Sequence, residues 1–149
     1  MKKKSIFPAV IALVLLGCIG LYFRPLSLSD AADQNARVTL VLNELTLRDD
    51  GLHAEATEYR DITAEQKQAL FALLAQFPYR RTPGSLFSAG TLSSIGDRTL
   101  SIYLLDDASA VSSISLTASG KISVNGKSFR MPDADSCITR ILATLAPAK

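Results

Sequence analysis

The chain is expected to fold as an α+β domain. Its antiparallel sheet would combine an N-terminal hairpin with a C-terminal meander, carry two amphipathic helices on one face, and follow one transmembrane helix. Three observations point there. The order of patterns is strands, helix, strands, helix, without the βαβ alternation that marks a parallel sheet. The strands of the second half alternate apolar with hydroxyl-bearing residues, as strands do when only one face of the sheet is covered. One uncharged apolar run precedes all of this.

That run, Ile6 to Phe23, is 18 residues long, with Lys2, Lys3 and Lys4 before it and Arg24 and Pro25 behind it. A helix needs about 20 apolar residues to cross a bilayer core, with about 17 as the lower limit. The leading lysines place the N-terminus in the cytoplasm and the rest of the chain outside. Tyr22 and Phe23 fall where aromatic rings favour the outer interface, and Pro8 falls in the first turn, where its missing N–H costs least. Residues 1–24 are therefore read as an uncleaved signal-anchor. Two other readings stay open. A cleaved export signal would be cut at Ser29-Asp30-Ala31, against which stand the charge of Arg24 and the long gap behind the apolar run. A lipoprotein signal would use Leu15-Leu16-Gly17-Cys18 with Cys18 lipidated, a pattern that Leu16 and the apolar Ile19 to Phe23 serve poorly. All three leave the domain outside the cytoplasm. The polar, aperiodic segment 25–36 reads as a flexible tether, and residues 37–149 as the extracytoplasmic domain.

Each element of that domain has a local reason. Val38 to Arg48 is rich in Val, Leu and Thr, Asp49-Asp50-Gly51 is a turn signal, and Leu52 to Arg60 returns as a weaker strand. Thr63-Ala64-Glu65-Gln66 is a capping box. Leu70, Phe71, Leu73, Leu74 and Phe77 then form one apolar helical face, which Pro78 ends. Between Tyr79 and Ile95 the pattern is less regular, with Arg80-Arg81-Thr82 as an edge strand, Pro83-Gly84 as a turn, and Leu86 to Leu92 as a strand or loop. Leu100, Ile102 and Leu104, then Ile114, Leu116 and Ala118, alternate with polar residues around a turn at Asp106 to Ala110. Ile122 and Val124 face Phe129 and Met131 across Asn125-Gly126, the strongest two-residue hairpin signal. Asp133 is the expected N-cap of a last helix that buries Ile138, Ile141, Leu142 and Leu145.

Charge narrows the function. The net +2 rests on the membrane-flanking residues. Without Lys2, Lys3, Lys4 and Arg24, twelve basic residues face fourteen acidic ones, which gives no electrostatic case for nucleic-acid binding. Cys137 is the only cysteine beyond the anchor, so a disulfide within the domain is excluded. One histidine and one cysteine do not make the usual zinc ligand sets. The acidic pairs at 49–50 and 106–107 lack the alternating oxygen ligands of an EF-hand. No phosphate-cradling glycine loop is present, and no cofactor is expected. Two side chains are candidates for catalysis. His53 has the pKa range of a general base but no serine motif near it. Cys137 sits in the first turn of the last helix, which can activate a thiol, but Asp133 and Asp135 act the other way.

The grouping that points to binding is basic and aromatic: Tyr79, Arg80 and Arg81 after the first amphipathic helix, then Arg98, Lys121, Lys127 and Arg130 on the later strands. On a meander, several of these would converge on the open sheet face and contact an acidic protein, an anionic envelope polymer or lipid headgroups. Charged residues that merely guard a sheet from aggregation are the competing explanation.

Arg98-Thr-Leu-Ser-Ile-Tyr-Leu-Leu-Asp106 and Gly120-Lys-Ile-Ser-Val-Asn-Gly-Lys127, together with the lysine-led anchor, short tether and helix opened at Ile62-Thr63, resemble a group of small, uncharacterised membrane-tethered extracytoplasmic domains of Gram-positive bacteria. The resemblance covers most of Ile62 to Leu145 and rests on structural motifs, so it implies a layout and no activity. The expectation is a non-enzymatic binding domain of the cell envelope, anchored in the membrane by a single N-terminal helix. It would recognise an envelope protein or anionic polymer through the sheet face or through a strand edge at Tyr79 to Thr82. A small envelope hydrolase using His53 or Cys137, and a structural subunit of a membrane complex, are the rival readings.

Overall fold

The computed structural model of the chain describes residues 7–28, 36–86, 96–106 and 109–146. It is an α+β fold with one eight-stranded antiparallel sheet. In chain order the elements are α1 (Phe7–Tyr22), β1 (Leu26–Ser27), β2 (Arg37–Arg48), β3 (Gly51–Tyr59), α2 (Ala64–Leu74), β4 (Pro78–Arg81), a 3-10 turn (Pro83–Leu86), β5 (Arg98–Asp106), β6 (Ser109–Thr117), β7 (Lys121–Val124), β8 (Lys127–Arg130) and α3 (Ala134–Leu145). Across the sheet the strands run β1-β4-β8-β7-β6-β5-β2-β3.

One join turns two separate hairpin systems into a single sheet. β2 pairs with β5, setting Leu40 opposite Ile102 and Leu42 opposite Leu100. The pairing continues strand by strand, so that Leu40, Ile102, Ile114 and Val124 form one apolar row and Leu42, Leu100, Leu116, Ile122 and Phe129 the next. These side chains are buried beneath α2 and α3, which supply Leu70, Leu74, Ile138 and Ile141 to the same core. A row of directly opposed apolar residues is the unit by which a sheet is stabilised, and here two adjacent rows form the core.

The expected hairpins take their expected turns. Arg48 pairs with Gly51 around Asp49-Asp50. Asn125 and Gly126 both have positive φ, 49° and 76°, the conformation that the two-residue turn demands. Thr63 caps α2 through the full box, its hydroxyl accepting from the Gln66 N–H while the Gln66 side chain accepts from the Thr63 N–H.

Several expectations are corrected. The transmembrane helix expected over the apolar run is not found at that length. α1 has 16 residues, roughly 24 Å at the α-helical rise, against a bilayer core of about 30 Å. Among the described residues no helix is long and apolar enough to cross a membrane. Residues 1–6 lie outside the described residues, and Pro25 disfavours helical geometry at Arg24 beyond the other end. Part of the segment expected as tether is ordered: Leu26 and Ser27 pair with Tyr79 and Pro78, and Leu28 is fully buried. The edge expected at Tyr79 to Thr82 is covered at its start, where Leu26 of β1 pairs with Tyr79; the β1 register stops there, and the outer strand at the far side is β3. Asp133 precedes α3 without a capping hydrogen bond from its side chain. Leu86 ends the 3-10 turn, while 87–92 and the turn residues 107 and 108 lie outside the described residues.

Candidate functional site

The face of the sheet away from the helices is built from small hydroxyl residues. Ser101, Ser115, Ser123 and Ser128 stand in one cross-strand row, and the Ser101 and Ser115 hydroxyl oxygens are 3.1 Å apart. The alternation that buries Leu100 and Ile102 on one side puts these serines on the other.

At the β4 end of this face, two residues further along β8, the chemistry changes. Arg130 lies directly opposite Lys121 on one side and directly opposite Arg80 on the other. Three cations therefore stand abreast on adjacent strands, all exposed, and none has an ion-pair partner among the described residues. Like charges placed directly opposite each other destabilise a sheet, so the row works against the fold that carries it.

Beside the row is an open concavity of about 320 Å³, lined by Thr82, Ser119, Gly120, Lys121, Ser128 and Arg130 among others. Its rim is held by backbone geometry. Gly120 has φ +92°, and a Cβ there would lie 2.9 Å from the Met131 carbonyl oxygen. The Gly120 carbonyl in turn accepts the Met131 N–H at 2.9 Å. Buried Asp97 accepts from the Ser119 N–H at 3.1 Å and from its hydroxyl at 2.5 Å. On the opposite rim Ser85 accepts from the Thr82 N–H at 2.8 Å and donates its hydroxyl to the Ser128 carbonyl. The donors of Ser119 and Ser85 are thus engaged within the protein, with the Asp97 carboxylate behind one rim, and it is the cations bordering the open space that suit it to an anion.

The sequence-derived residues divide between the two faces. Arg80 and Arg130 are in the row. Arg81 shares the face of Phe129, its partner in register. Its guanidinium stacks 5.3 Å from the Tyr22 ring centroid and donates to the Tyr22 carbonyl at 3.4 Å. Tyr79 is buried edge-on to Phe129, with ring centroids 4.9 Å apart. Arg98 is bound to Asp135 and Thr139 of α3 and so belongs to the helix-covered side. Lys127 pairs with Val124, on that same side and at the opposite end of β8 from Arg130. The residues that complete the site, Ser119, Gly120, Ser128 and Thr82, carry no motif. Lys121, a member of the sequence-derived grouping, stands in the row with Arg80 and Arg130, at the place that counting outward from the Asn125-Gly126 turn gives it.

The two candidates for catalysis are set differently. His53 bonds Asp50 at 2.8 Å in the first hairpin turn. Cys137 is completely buried in the core, and burial pushes its thiol up to about 12. A second concavity on the open face, about 350 Å³, is lined by Arg37, Tyr103, Glu58 and Arg60 among others. Its Arg60 is already neutralised by Glu58 at 2.7 Å, and this pairing lowers the Glu58 pKa. Among the described residues no group of three His, Cys, Asp or Glu side chains could hold a metal ion. The chain matches no protein-family model, no curated protein and no solved structure.

Proposed function

We propose that this chain is a membrane-tethered, non-enzymatic binding domain of the bacterial cell envelope, and that its ligand is an anion taken up at the Arg80–Arg130–Lys121 row. The observation that carries this reading is the row itself, three opposed cations without an ion-pair partner among the described residues, beside a concavity rimmed by Ser119, Ser128 and Thr82. A sheet surface shaped only for solubility would intersperse its charges, whereas this one opposes like with like across three strands.

Tethering is supported by α1. Val10, Leu13, Val14, Leu15, Leu16, Ile19 and Leu21 are all exposed, around the whole circumference of the helix. A helix that is apolar all round belongs in a core or in lipid, and no described element covers this one. With Lys2, Lys3 and Lys4 before it and Arg24 behind it, the segment is read as a short anchor that holds the sheet domain at a membrane surface.

The test uses the full chain in an uncharged detergent and inorganic polyphosphate as the probe. Arg130→Glu combined with Lys121→Glu is expected to weaken polyphosphate binding at least tenfold. Arg48→Glu, a reversal at the first hairpin turn, should leave it within twofold. Equal binding by all three proteins would end the anion-site reading.

A second reading is supported by β3. Nine residues long, it is paired only with β2 among the described residues, and most of its side chains are exposed. Such an edge is a template for an added strand. Proline in place of Thr57 would block an added strand if that N–H faces outward, and capture of an extended peptide unchanged by it would count against edge pairing.

A further inference from the structure

The site and the anchor are not independent. The end of α1 is clamped to β4 by three contacts: Tyr22 donates its hydroxyl to the Thr82 carbonyl at 3.5 Å, Arg81 donates to the Tyr22 carbonyl, and the Arg81 guanidinium covers the Tyr22 ring. β1, four residues beyond α1, pairs with the same strand. Arg80, the first member of the cationic row, is the next residue to Arg81. From β4 across β8 to β7 is two strand spacings, about 10 Å in all. Along the chain the row starts one residue from the point where the helix meets the sheet, with Arg80 projecting from the opposite face of β4 to Arg81.

We propose that Arg80, Arg130 and Lys121, with the Ser128 hydroxyl beside them, bind the phosphates of anionic phospholipid headgroups in the bilayer that α1 enters, and so hold the β4 end of the sheet against the membrane surface. The inference rests on the anion-site and anchor readings above and names the ligand class for them. Headgroups fit on three counts. A phosphodiester offers charged acceptors to guanidinium and ammonium donors. The headgroup layer is several ångströms deep on each side of the hydrocarbon core, and the strand that carries Arg80 is the one on which the end of α1 docks. Arg24 adds a cation directly behind α1, so that a basic group outside the row also stands where chain and bilayer would meet, and basic residues beside an anchor attract anionic lipid. A soluble polymer would require the same cations but not their placement at the root of the anchor.

The experiment places the full chain in nanodiscs of phosphatidylcholine alone, or of phosphatidylcholine with phosphatidylglycerol, and compares the amide chemical shifts of Lys121, Ser128 and Arg130. Inorganic phosphate is titrated into the phosphatidylcholine sample. Headgroup binding is expected to displace these three amides in the phosphatidylglycerol discs, with Arg130→Glu combined with Lys121→Glu returning them to a lipid-independent position and Arg48→Glu leaving the displacement in place. The milder pair Arg130→Gln and Lys121→Gln should reduce the displacement by more than half, and the unperturbed amides of Ile114 and Leu116 report that each variant is folded. If the shifts are the same in both lipids while phosphate moves them, the headgroup assignment is overturned and the anion site stands. If neither lipid nor phosphate moves them, both fall together.

Discussion

Replacing Arg130 by glutamine removes the middle charge of the cationic row while keeping the nearest part of its stem, and it should make the free protein more stable. Cross-strand neighbours bring their side-chain heads to roughly 6 Å. Two unit charges at that separation repel by about 0.7 kcal/mol in water. At physiological salt, where the screening length is about 8 Å, this falls to ~0.3 kcal/mol per neighbour. Arg130 has two such neighbours, Lys121 and Arg80. Its neutralisation is therefore expected to add about 0.7 kcal/mol, rising to about 1 kcal/mol at 0.01 M salt and falling to ~0.2 kcal/mol at 1 M. Arg80→Gln and Lys121→Gln each relieve one contact and should give about half as much. The assay is urea denaturation of the full chain in an uncharged detergent at these three salt concentrations, followed by circular dichroism. A gain that shrinks with salt, and is largest at the central residue, identifies a row held together against its own repulsion. Destabilisation by Arg130→Gln, or a gain indifferent to salt, would refute the reasoning and show that the aliphatic stem or an unrecognised partner matters more than the charge. Anionic ligand should reverse the order of stability, because it stabilises only the protein that binds it.

Three further outcomes are expected. Cys137 should resist a thiol reagent at pH 8 in the folded protein and become labelled only in denaturant; equal rates in the two states would contradict its burial. Its thiol is raised from the ordinary 9.0 to about 12, so the folded state holds the proton more tightly than the unfolded one. The resulting contribution is complete below about pH 9 and is lost as pH climbs toward 12, so Cys137→Ala should show a shallower fall in stability across that window than the parent protein. Gly120→Ala should cost about 2 kcal/mol or more, since the residue combines φ +92° with a Cβ position 2.9 Å from the Met131 carbonyl oxygen. A thermal midpoint unchanged by that substitution would mean that the β6–β7 turn relaxes without strain.

Much of this fold is written locally. The capping box at Thr63, the Asp49-Asp50 and Asn125-Gly126 turns, and the alternation along Arg98–Thr117 each depend on neighbours a few residues away. The 3.6 and 2.0 periodicities carry that information directly. Even half of the candidate site follows in this way: a two-residue turn at Asn125-Gly126 sets Val124 opposite Lys127, and counting outward brings Lys121 opposite Arg130. The same alternation divides each strand, taken singly, into an apolar and a hydroxyl face. What the tertiary structure alone decided is which strands become neighbours across long stretches of chain. Arg80 meets Arg130 because β4 pairs with β8, fifty residues on, and the two hairpin systems become one sheet because Val38, Leu40 and Leu42 of β2 meet Leu104, Ile102 and Leu100 of β5. The same pairings send Tyr79 into the core, tie Arg98 to α3 and turn Arg81 toward Tyr22, dispersing residues that the sequence alone groups together. The physical reason is that hydrogen bonding within a turn specifies register, whereas partner choice between distant strands is made by burying apolar rows against two helices, a property of the whole core and of no single segment.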